Sequence, residues 1–443
     1  MTSLERNLIL SVNAGSSSLK ISLFSTAKRL GFTEPVALVF TSSISSISGP
    51  PAKFSFRLAT GEQRFKDKPV DSIKDHSTAF AHFLDYLENH CSIPKSRIVY
   101  VCHRVVHGGD YAERVEMDPE AYHHLERLSD LAPLHNGAAL SVIKACIDAM
   151  SEARSVAYFD TSFHRSIPSH ISSYAIDQKI ATERGLRKYG FHGLSYAFIL
   201  RSVSRFLERP PESLNLILLH LGSGASVCAI KAGKSYDTSM ELTPLSGLPG
   251  ATRSGSIDPS LIFHYTNKAG RITHDPSMAT NVGVTMAEDI LNRKSGWKAM
   301  TGTTDFGTVT SKADLSAPAS TDEDLEILRK FNPHRLAFDL FTDRIIQFIG
   351  SYYLKLGSEV DALVFSGGIG ENGAELRSVI GKKMECLGFC KVDEERNAKA
   401  RKEDAVVIDI SVGSDEDEER KKRVLVCKTD EQVCFICSVL LLR

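Results

Sequence analysis

The sequence lacks several features that would place it in a particular class of protein. Its 53 Lys and Arg residues nearly cancel its 54 Asp and Glu residues, so no overall field attracts nucleic acid or an anionic membrane. Residues 1–7 lack the basic and apolar regions of a signal peptide, and no apolar run has the length of a membrane span. We therefore expect a cytoplasmic protein that binds neither nucleic acid nor membrane, with any anion site being local.

The cysteines and glycines also lack familiar ligand-binding spacings. Of the nine cysteines, Cys434 and Cys437 form a C-x-x-C pair in an apolar run, with no second pair and no neighbouring histidine. Buried thiols are a better interpretation than a zinc or redox site, and a reducing compartment is expected. The glycines do not follow the spacing of a Walker loop or a dinucleotide fingerprint.

What the sequence does contain is typical of a soluble globular protein with two domains. Hydrophobic residues make up 42% of the chain and charged residues 24%, which is an ordinary globular composition. A length of 443 residues exceeds a single ordinary core. Short alternating segments at 37–40 and 54–58 predict strands, and apolar residues at helical spacing predict helices around 80–87 and over 336–356.

A Gly/Ser turn between two apolar segments opens the chain. Residues 8–12 predict a buried strand, and the alternation over residues 19–23 predicts a second strand. The turn between them, Asn13 to Ser18, exposes backbone N–H groups and hydroxyls with little bulk, and Lys20 adds a cation. A phosphate-binding hairpin and a surface hairpin without a ligand both fit this motif taken alone.

The same arrangement returns about two hundred residues later. Residues 216–221 and 225–230 are apolar strands on either side of a Gly/Ser turn at 222–224. The repetition predicts a duplicated domain with two phosphate-type hairpins facing a cleft, while a chance resemblance between two hairpins is the alternative. A third apolar strand, 362–365, leads into a glycine-rich turn at 366–372, after which a helix is expected to begin near Ala374.

Two more strands end in polar motifs, and the tail is unlike the rest. Strands at 98–102 and 155–159 lead into residues 103–109 and 160–164. Such strand ends are where α/β sheets open toward ligands. Residues 415–423 are a charge run without apolar residues, which predicts a solvated loop or insertion.

Eight motifs, in a fixed order along nearly the whole chain, carry a family resemblance. They are residues 12–20, 103–109, 131–136, 159–164, 189–193, 220–224, 252–259 and 367–372. With these motifs the chain resembles the acetate kinases, the acetokinase branch of the sugar kinase/Hsp70/actin superfamily. The resemblance implies an α/β fold of two duplicated actin-like, ribonuclease H-like domains with mixed sheets flanked by helices, and an active site in the interdomain cleft. It implies a first domain over 1–160, a second over 161–432 that carries the adenosine side, and a last helix, 433–443, packing back on the first.

The resemblance implies Mg²⁺-dependent, reversible, in-line transfer of the ATP γ-phosphoryl group to acetate, which gives acetyl phosphate and ADP. Arg104 and Arg253 match the two essential arginines of the family. His192 matches its transition-state histidine, and His135 a second histidine that binds the same group. Asp160 matches the carboxylate that orients an arginine and the substrate. Acetate is already ionised, so no residue is assigned as a base.

The resemblance also implies the binding residues. Asn13 and Glu431 are the candidate magnesium ligands, although Thr429-Asp430-Glu431-Gln432 departs from the Thr-Asn-Glu-Glu of the family. The pocket for the acetate methyl group matches Val106, Leu134, Phe191 and Pro244. The residues expected to bind the nucleotide are Ser16, Ser18, Lys20, His220, Leu221, Gly222, Ser223, Gly224, Gly367, Gly368, Ile369, Gly370 and Asn372.

Departures from the family pattern bear on these expectations. Ser223 stands where Asn is common, and its hydroxyl has a shorter reach to phosphate. The charged segment from Asp415 is unlike compact bacterial members and indicates a eukaryotic, fungal sequence. Gly367 and Gly368 leave the adenosine side uncrowded, which favours ATP over pyrophosphate. A propionate or butyrate kinase, a pyrophosphate-dependent acetate kinase and a non-catalytic nucleotide switch are the alternatives, and a homodimer is expected from the resemblance.

Overall fold

A computed structural model describes residues 7–15, 17–26, 36–128, 133–262, 272–273, 284–316, 332–413 and 422–429, with only the backbone at 133–135, 272–273 and 284. Packing divides the chain into two compact units. Unit 1 contains the chain up to Ser162, and unit 2 contains Phe163–Thr273 and Thr285–Thr429. The helix predicted at 433–443 and most of the charged segment at 415–423 lie outside the described residues.

Unit 1 is built on an eight-stranded mixed sheet. Its strands are β1 (Leu8–Gly15), β2 (Ser18–Ser25), β3 (Ala37–Ser45), β4 (Ala52–Leu58), β5 (Gln63–Val70), β6 (Ile98–Val105), β7 (Val115–Glu116) and β8 (Arg154–Phe159). They lie in the order β5-β4-β3-β2-β1-β6-β8-β7. Strands β1 to β5 pair antiparallel, whereas β6 runs parallel to β1 and β8.

The helices of unit 1 cover the apolar face of this sheet. They are α1 (His76–Cys91), α2 (Pro119–Leu128) and α3 (Pro133–Ala149), with 3₁₀ turns at Lys95–Arg97 and Asp160–His164. Alternate residues of β1 and β2, such as Val12 and Ile21, share one buried core with Phe80 and Phe83 of α1. Because side chains alternate between faces, this burial leaves polar residues of the same strands on the other face.

Three of these polar residues lie side by side on neighbouring strands. Asn13 on β1 is directly opposite Lys20 on β2 and Arg104 on β6. Directly paired residues lie on the same face of a sheet. The register therefore groups one amide and two cations from motifs that are far apart in the sequence.

Unit 2 is built on a six-stranded mixed sheet. Its six strands, in chain order, are β9 (Leu216–Leu221), β10 (Ala225–Lys231), β11 (Lys234–Thr238), β14 (Ala362–Ser366), β15 (Val407–Asp409) and β16 (Arg423–Cys427). The two-residue strands β12 (Ile272–Thr273) and β13 (Val284–Thr285) lie outside this sheet. The sheet order is β11-β10-β9-β14-β16-β15. Strand β9 is antiparallel to β10 and parallel to β14.

The described helices of unit 2 surround this sheet. They are α4 (Ser169–Ser172), α5 (Gln178–Arg184), α6 (Gly193–Phe206), α7 (Met286–Arg293), α8 (Gly296–Thr301), α9 (Phe306–Lys312), α10 (Pro333–Lys355), α11 (Gly367–Asn372), α12 (Ala374–Met384) and α13 (Glu394–Lys399), with 3₁₀ turns at Pro211–Ser213, Glu385–Leu387 and Ala400–Lys402. Helix α10 begins after Asn332, whose side chain accepts from two backbone N–H groups of the first turn. Its buried residues include Phe338 and Phe341.

The helix predicted to begin near Ala374 is preceded by another one. The glycine-rich residues 367–372, expected to form a turn, are helix α11, and the helical path breaks at Gly373 (φ −89°, ψ 78°) before α12. Glycine weakens a helix only by about 1 kcal/mol per residue, so the packing of this segment against β9 and β14 outweighs its poor propensity.

The two sheets share one topology. In unit 1 the order β3-β2-β1-β6-β8 contains a three-stranded antiparallel meander followed by two parallel strands. In unit 2 the order β11-β10-β9-β14-β16 has the same directions. Matching order and direction over five strands confirms the prediction of two duplicated mixed-sheet domains, since two chance hairpins would not extend to the parallel strands.

Two sequence predictions about absences can be compared with the described residues. Among the described helices, none is both long and apolar enough to cross a membrane. No disulfide bond joins the cysteines in the ranges given above. Cys434 and Cys437 lie outside those ranges.

A buried charge network lies beside the 189–193 motif of unit 2. The Asp237 side chain is only 2% exposed and accepts from Lys188 Nζ at 2.9 Å and Lys355 Nζ at 2.5 Å. Lys188 also lies 3.4 Å from Glu241. Removing this buried carboxylate should destabilise the fold, because the two cations would lose their counter-charge.

We expect Asp237→Ala to lower the free energy of unfolding by about 3 kcal/mol, since it leaves Lys188 largely buried without its nearest carboxylate. Urea denaturation followed by circular dichroism measures this change. The matched control is Asp343→Ala, which removes an exposed partner of Arg344 and should cost less than about 1 kcal/mol. Equal effects of the two substitutions would contradict a structural role for the Asp237 network.

Candidate active site

A buried ion pair lies at the end of β6 in unit 1. The Arg104 guanidinium donates to Asp160 Oδ2 through Nη2 at 2.7 Å and through Nε at 3.2 Å. The Asp160 side chain is 1% exposed and that of Arg104 is 16% exposed. A planar fork held by a buried carboxylate has a fixed orientation. This is the contact that an arginine-orienting carboxylate makes.

Hydrogen bonds from two other motifs hold the loop that follows Arg104. Asn136 accepts from His107 N at 3.1 Å and donates to His107 O at 2.9 Å. Thr161 Oγ1 accepts from Gly108 N at 3.1 Å. Hydrogen bonds thus join the motifs at 103–109, 131–136 and 159–164. The sequence motif contained Asn136, but nothing in its spacing showed that its task is to hold a backbone.

The first Gly/Ser turn has an unexpected support. The ring of His76, at the start of α1, is hydrogen-bonded through Nε2 to Gly15 O at 2.7 Å.

Three other predicted site residues of unit 1 are described. Ser18 is the first residue of β2, and Lys20 on the same strand is exposed. Val106, predicted for the acyl pocket, follows β6 and is half-buried.

Some predicted residues lie outside the part of the chain whose side chains are described. These are Ser16, Leu134, His135 and Glu431. For Leu134 and His135 the backbone belongs to α3. Their predicted roles stay predictions.

In unit 2, His192 has a constrained backbone. It immediately precedes α6 with φ 57° and ψ 22°, a left-handed conformation that is unusual for a residue with a side chain. Gly190, at φ +81°, packs so closely on His164 that a Cβ would lie 2.6 Å from its ring. His164 in turn bonds Ser235 Oγ at 2.7 Å and Phe191 O at 2.9 Å. Burial lowers the pKa of His164 to about 4, so a neutral imidazole supports the loop.

The His192 ring has two further contacts within unit 2. Its Nδ1 lies 2.8 Å from Ser226 Oγ, and the ring stacks on His220 with 4.2 Å between centroids. Ser226 and His220 are paired across β10 and β9. The motif at 189–193 is therefore brought onto the second Gly/Ser hairpin.

Arg253 reaches the same hairpin. A Cβ placed on Gly224 would lie 3.1 Å from Arg253 Nη1 and 3.7 Å from His192 Nε2. Arg253 Nη1 donates to Pro244 O at 3.4 Å, and Ala251 N donates to Ser223 O at 2.9 Å. The guanidinium and the imidazole thus converge at a turn that has no side chain in the way. Two hydrogen-bond donors at one glycine turn suit a phosphoryl group.

The glycine-rich segment 367–372, which was predicted to bind adenosine, follows β14 and packs against the end of β9. Gly367 has φ +74°, and a Cβ there would lie 2.6 Å from Leu221 O, so this position requires glycine. Gly368 faces open space, with nothing within 4 Å of a Cβ. Gly367 is therefore closely packed, and open space is found at Gly368. The predicted adenosine role of these residues stays a prediction.

Glu371 is a residue of this segment that the sequence did not single out. Its Oε1 accepts from Gly367 N and from Thr429 N, each at 3.1 Å. Burial raises the pKa of Glu371, and the two backbone hydrogen bonds oppose that rise. The carboxylate anchors the residue that precedes the predicted metal-ligand segment at 430–432.

The described residues contain no group of three or more His, Cys, Asp or Glu side chains arranged to hold a metal ion by themselves. Of the two predicted magnesium ligands, Asn13 is described. Its amide oxygen is a hard donor of the kind Mg²⁺ accepts. A metal that is held mainly by nucleotide phosphates needs few protein ligands, so this donor set fits such an ion.

Known proteins resemble this chain over nearly its full length. The family model for the acetokinase family matches residues 8–437. A probable acetate kinase of Emericella nidulans is 46% identical over 431 residues, which cover 96% of each chain. The crystal structure of Porphyromonas gingivalis acetate kinase has a TM-score of 0.77 at 27% identity and covers 99% of this chain and 100% of its own. A propionate kinase from Francisella tularensis has a TM-score of 0.76 at 29% identity, with 97% of each chain covered.

The range matched by the family model, residues 8–437, includes residues of both units and all eight motif positions. The fungal relative also agrees with the expectation of a fungal-type sequence. The chain belongs to the acetokinase family.

Proposed function

We propose that the protein transfers the γ-phosphoryl group of ATP reversibly to acetate. The observation that carries the proposal is the convergence of Arg253 Nη1 and His192 Nε2 at Gly224. In the forward reaction an acetate oxygen forms a bond to the γ-phosphorus while the bond to the bridging oxygen of ADP breaks. Acetate arrives ionised, so the nucleophile needs no deprotonation.

The protein's task is then to position and to neutralise charge. We assign Arg253 and His192 to the equatorial oxygens of the moving phosphoryl group, together with His135. Arg104, oriented by Asp160, is assigned to acetate or to phosphoryl oxygens. Asp160 serves as the counter-charge of this permanently charged guanidinium.

The remaining predicted residues hold the nucleotide. Ser16, Ser18 and Lys20 are assigned to the transferring phosphate, and the turn at 220–224 and the segment 367–372 to the rest of ATP. A bound Mg²⁺ would neutralise phosphate charge. Asn13 and Glu431 would hold it, with Glu371 fixing the backbone just before Glu431.

A second candidate substrate, propionate, differs from acetate in acyl chain length. A solved structural relative is titled a propionate kinase, and one methylene changes binding in an apolar pocket by only ~1–3 kcal/mol. We assign the acetate methyl to Val106, Leu134, Phe191 and Pro244, of which Phe191 and Pro244 are buried near His192 and Arg253.

We also propose a homodimer, which analytical sedimentation tests, and a cytoplasmic location, which cell fractionation tests.

A hydroxamate assay tests the proposed reaction. With Mg-ATP and acetate the protein should form acetyl phosphate, which hydroxylamine traps, and pyrophosphate should not replace ATP. Acetate should give a higher kcat/KM than propionate or butyrate. Absence of any acetate-dependent signal would contradict the kinase proposal and favour a nucleotide switch, while a higher kcat/KM for butyrate would reject the substrate alone.

Arg104→Ala and Arg253→Ala should each lower kcat at least ~100-fold, because each removes a charged donor from the transition state. Circular dichroism should show unchanged folding. Arg344→Ala is the control, since this arginine is an exposed partner of Asp343. Near-normal turnover of either site variant would remove that arginine from the proposed site.

Gly224→Ala should lower kcat/KM at least ~10-fold, because the new methyl group would lie 3.1 Å from Arg253 Nη1 and displace it. Steady-state kinetics with both substrates varied measures the loss. Gly350→Ala in α10 is the control, because a Cβ there has nothing within 4 Å. Equal kinetics of the two variants would show that the turn does not need a glycine at 224.

A further inference from the structure

A buried hydrogen-bond chain leads away from His192 into unit 2. His192 Nδ1 lies 2.8 Å from Ser226 Oγ, and Ser226 Oγ lies 2.5 Å from Tyr196 Oη. Ser226 and Tyr196 are both 0% exposed. Tyr196 is four residues after His192, and its backbone N donates to His192 O at 3.0 Å. The three side chains are therefore held by one helix turn and by β10.

The direction of this chain follows from Tyr196. Burial raises the pKa of its phenol well above the ordinary value, so the phenol keeps its proton. Hydrogen bonds with Ser226 and with the backbone of His220 oppose that rise. Among the described residues, the hydrogen-bonding partner of the Tyr196 O–H is Ser226 Oγ. Tyr196 therefore donates to Ser226.

Ser226 has a single proton, and its oxygen is already an acceptor for Tyr196. Among the described residues, the other hydrogen-bonding partner of Ser226 Oγ is His192 Nδ1, so we assign the serine proton to that nitrogen. A neutral imidazole that accepts at Nδ1 carries its hydrogen on Nε2. Nε2 is the atom 3.7 Å from the Cβ position of Gly224, where Arg253 also approaches.

The stacked neighbour favours a neutral ring as well. The His192 and His220 rings are 4.2 Å apart, a distance at which two positive charges repel each other. His220 has its own serine, because Ser195 Oγ lies 2.8 Å from His220 Nδ1 and 3.0 Å from Thr429 Oγ1. Each ring of the stacked pair thus has its Nδ1 held by a buried or half-buried hydroxyl.

We propose that Ser226 and Tyr196 are positioning residues that hold neutral His192 with its proton on Nε2, so that it offers a donor to the transferring phosphoryl group. The opposite tautomer would direct a lone pair at anionic oxygens and repel them. The tautomer is a property of the chain itself, and only its use in phosphoryl transfer rests on the proposed function.

Long-range ¹H–¹⁵N correlation spectra of protein labelled with ¹⁵N-histidine measure the tautomer without substrate, and His192→Gln assigns the signals. In the unmodified protein at pH 8, the His192 Nε2 should have the shift of a protonated nitrogen and Nδ1 that of an acceptor. Ser226→Ala and Tyr196→Phe should shift both signals toward a mixture of tautomers. Each should lower kcat about 10-fold or more and change the KM for acetate less than about 3-fold.

Two controls separate positioning from general loss of packing. Tyr352→Phe removes a buried hydroxyl of unit 2 that has no hydrogen-bond partner in the described chain. Ser204→Ala removes a hydroxyl near the C-terminal end of α6, which donates to Arg209 O. Both should leave the His192 spectrum and kcat unchanged. Ser226→Thr, which keeps the hydroxyl, should restore the spectrum and kcat. If Ser226→Ala does not fold, Tyr196→Phe and Ser226→Thr decide the test.

A proton on Nδ1 in the unmodified protein would overturn the proposal, whatever its activity. So would an unchanged His192 spectrum in both Ser226→Ala and Tyr196→Phe. Failure of the proposed function is a separate result, since it appears as a lack of acetate-dependent acetyl phosphate in the unmodified protein while the spectrum still reports the tautomer.

Discussion

The absence of a side chain at Gly224 is the constraint on which the candidate site of unit 2 depends. It allows a guanidinium nitrogen and an imidazole nitrogen to approach the same turn within 3.1 and 3.7 Å of the missing Cβ. Each group has a hydrogen bond that restrains it, Arg253 with the carbonyl of Pro244 and His192 with the hydroxyl of Ser226. Donors fixed in this way need little rearrangement when negative charge develops between them.

The duplicated topology shows how one framework carries two chemistries. In unit 1, Asn13 of β1 is opposite Arg104 of β6. At the corresponding place in unit 2, His220 of β9 is opposite Ser366 of β14. The first pair contains the charged Arg104, which contacts the buried Asp160, while Ser366 of the second pair is followed by the glycines of α11. The strands supply equivalent positions, and the residues at their ends determine what each unit binds.

The sequence predicted the framework well, because strands and long helices are encoded locally. Apolar runs marked β9, β10 and β14, and the repeated Gly/Ser turn correctly indicated a duplication. The helix beginning at Ala374 was predicted correctly. The turn predicted at 366–372 was wrong, because residues 367–372 are helix α11. Glycines are poor helix formers, and only tertiary packing makes them helical.

The supporting residues of the site could not be found in the sequence. Ser226, Tyr196, Glu371 and Asn136 act through partners that are distant in the chain, and small polar residues in strands and loops have no diagnostic spacing. Family motifs supplied Arg104, Arg253 and His192, and periodicity would not have distinguished them from surface residues. The register of the sheets, which no local pattern specifies, is what places Asn13 beside Arg104.

The proposed function requires a chain that is preorganised for in-line phosphoryl transfer to acetate. Aluminium fluoride with ADP and Mg²⁺ mimics a planar phosphoryl group, and a site complementary to the transition state binds such mimics far more tightly than its substrates. The direct measurement is retention of labelled ADP by the protein after rapid gel filtration, with and without acetate. We expect retention that requires both aluminium fluoride and acetate. Retention that is the same without acetate would contradict the proposed function.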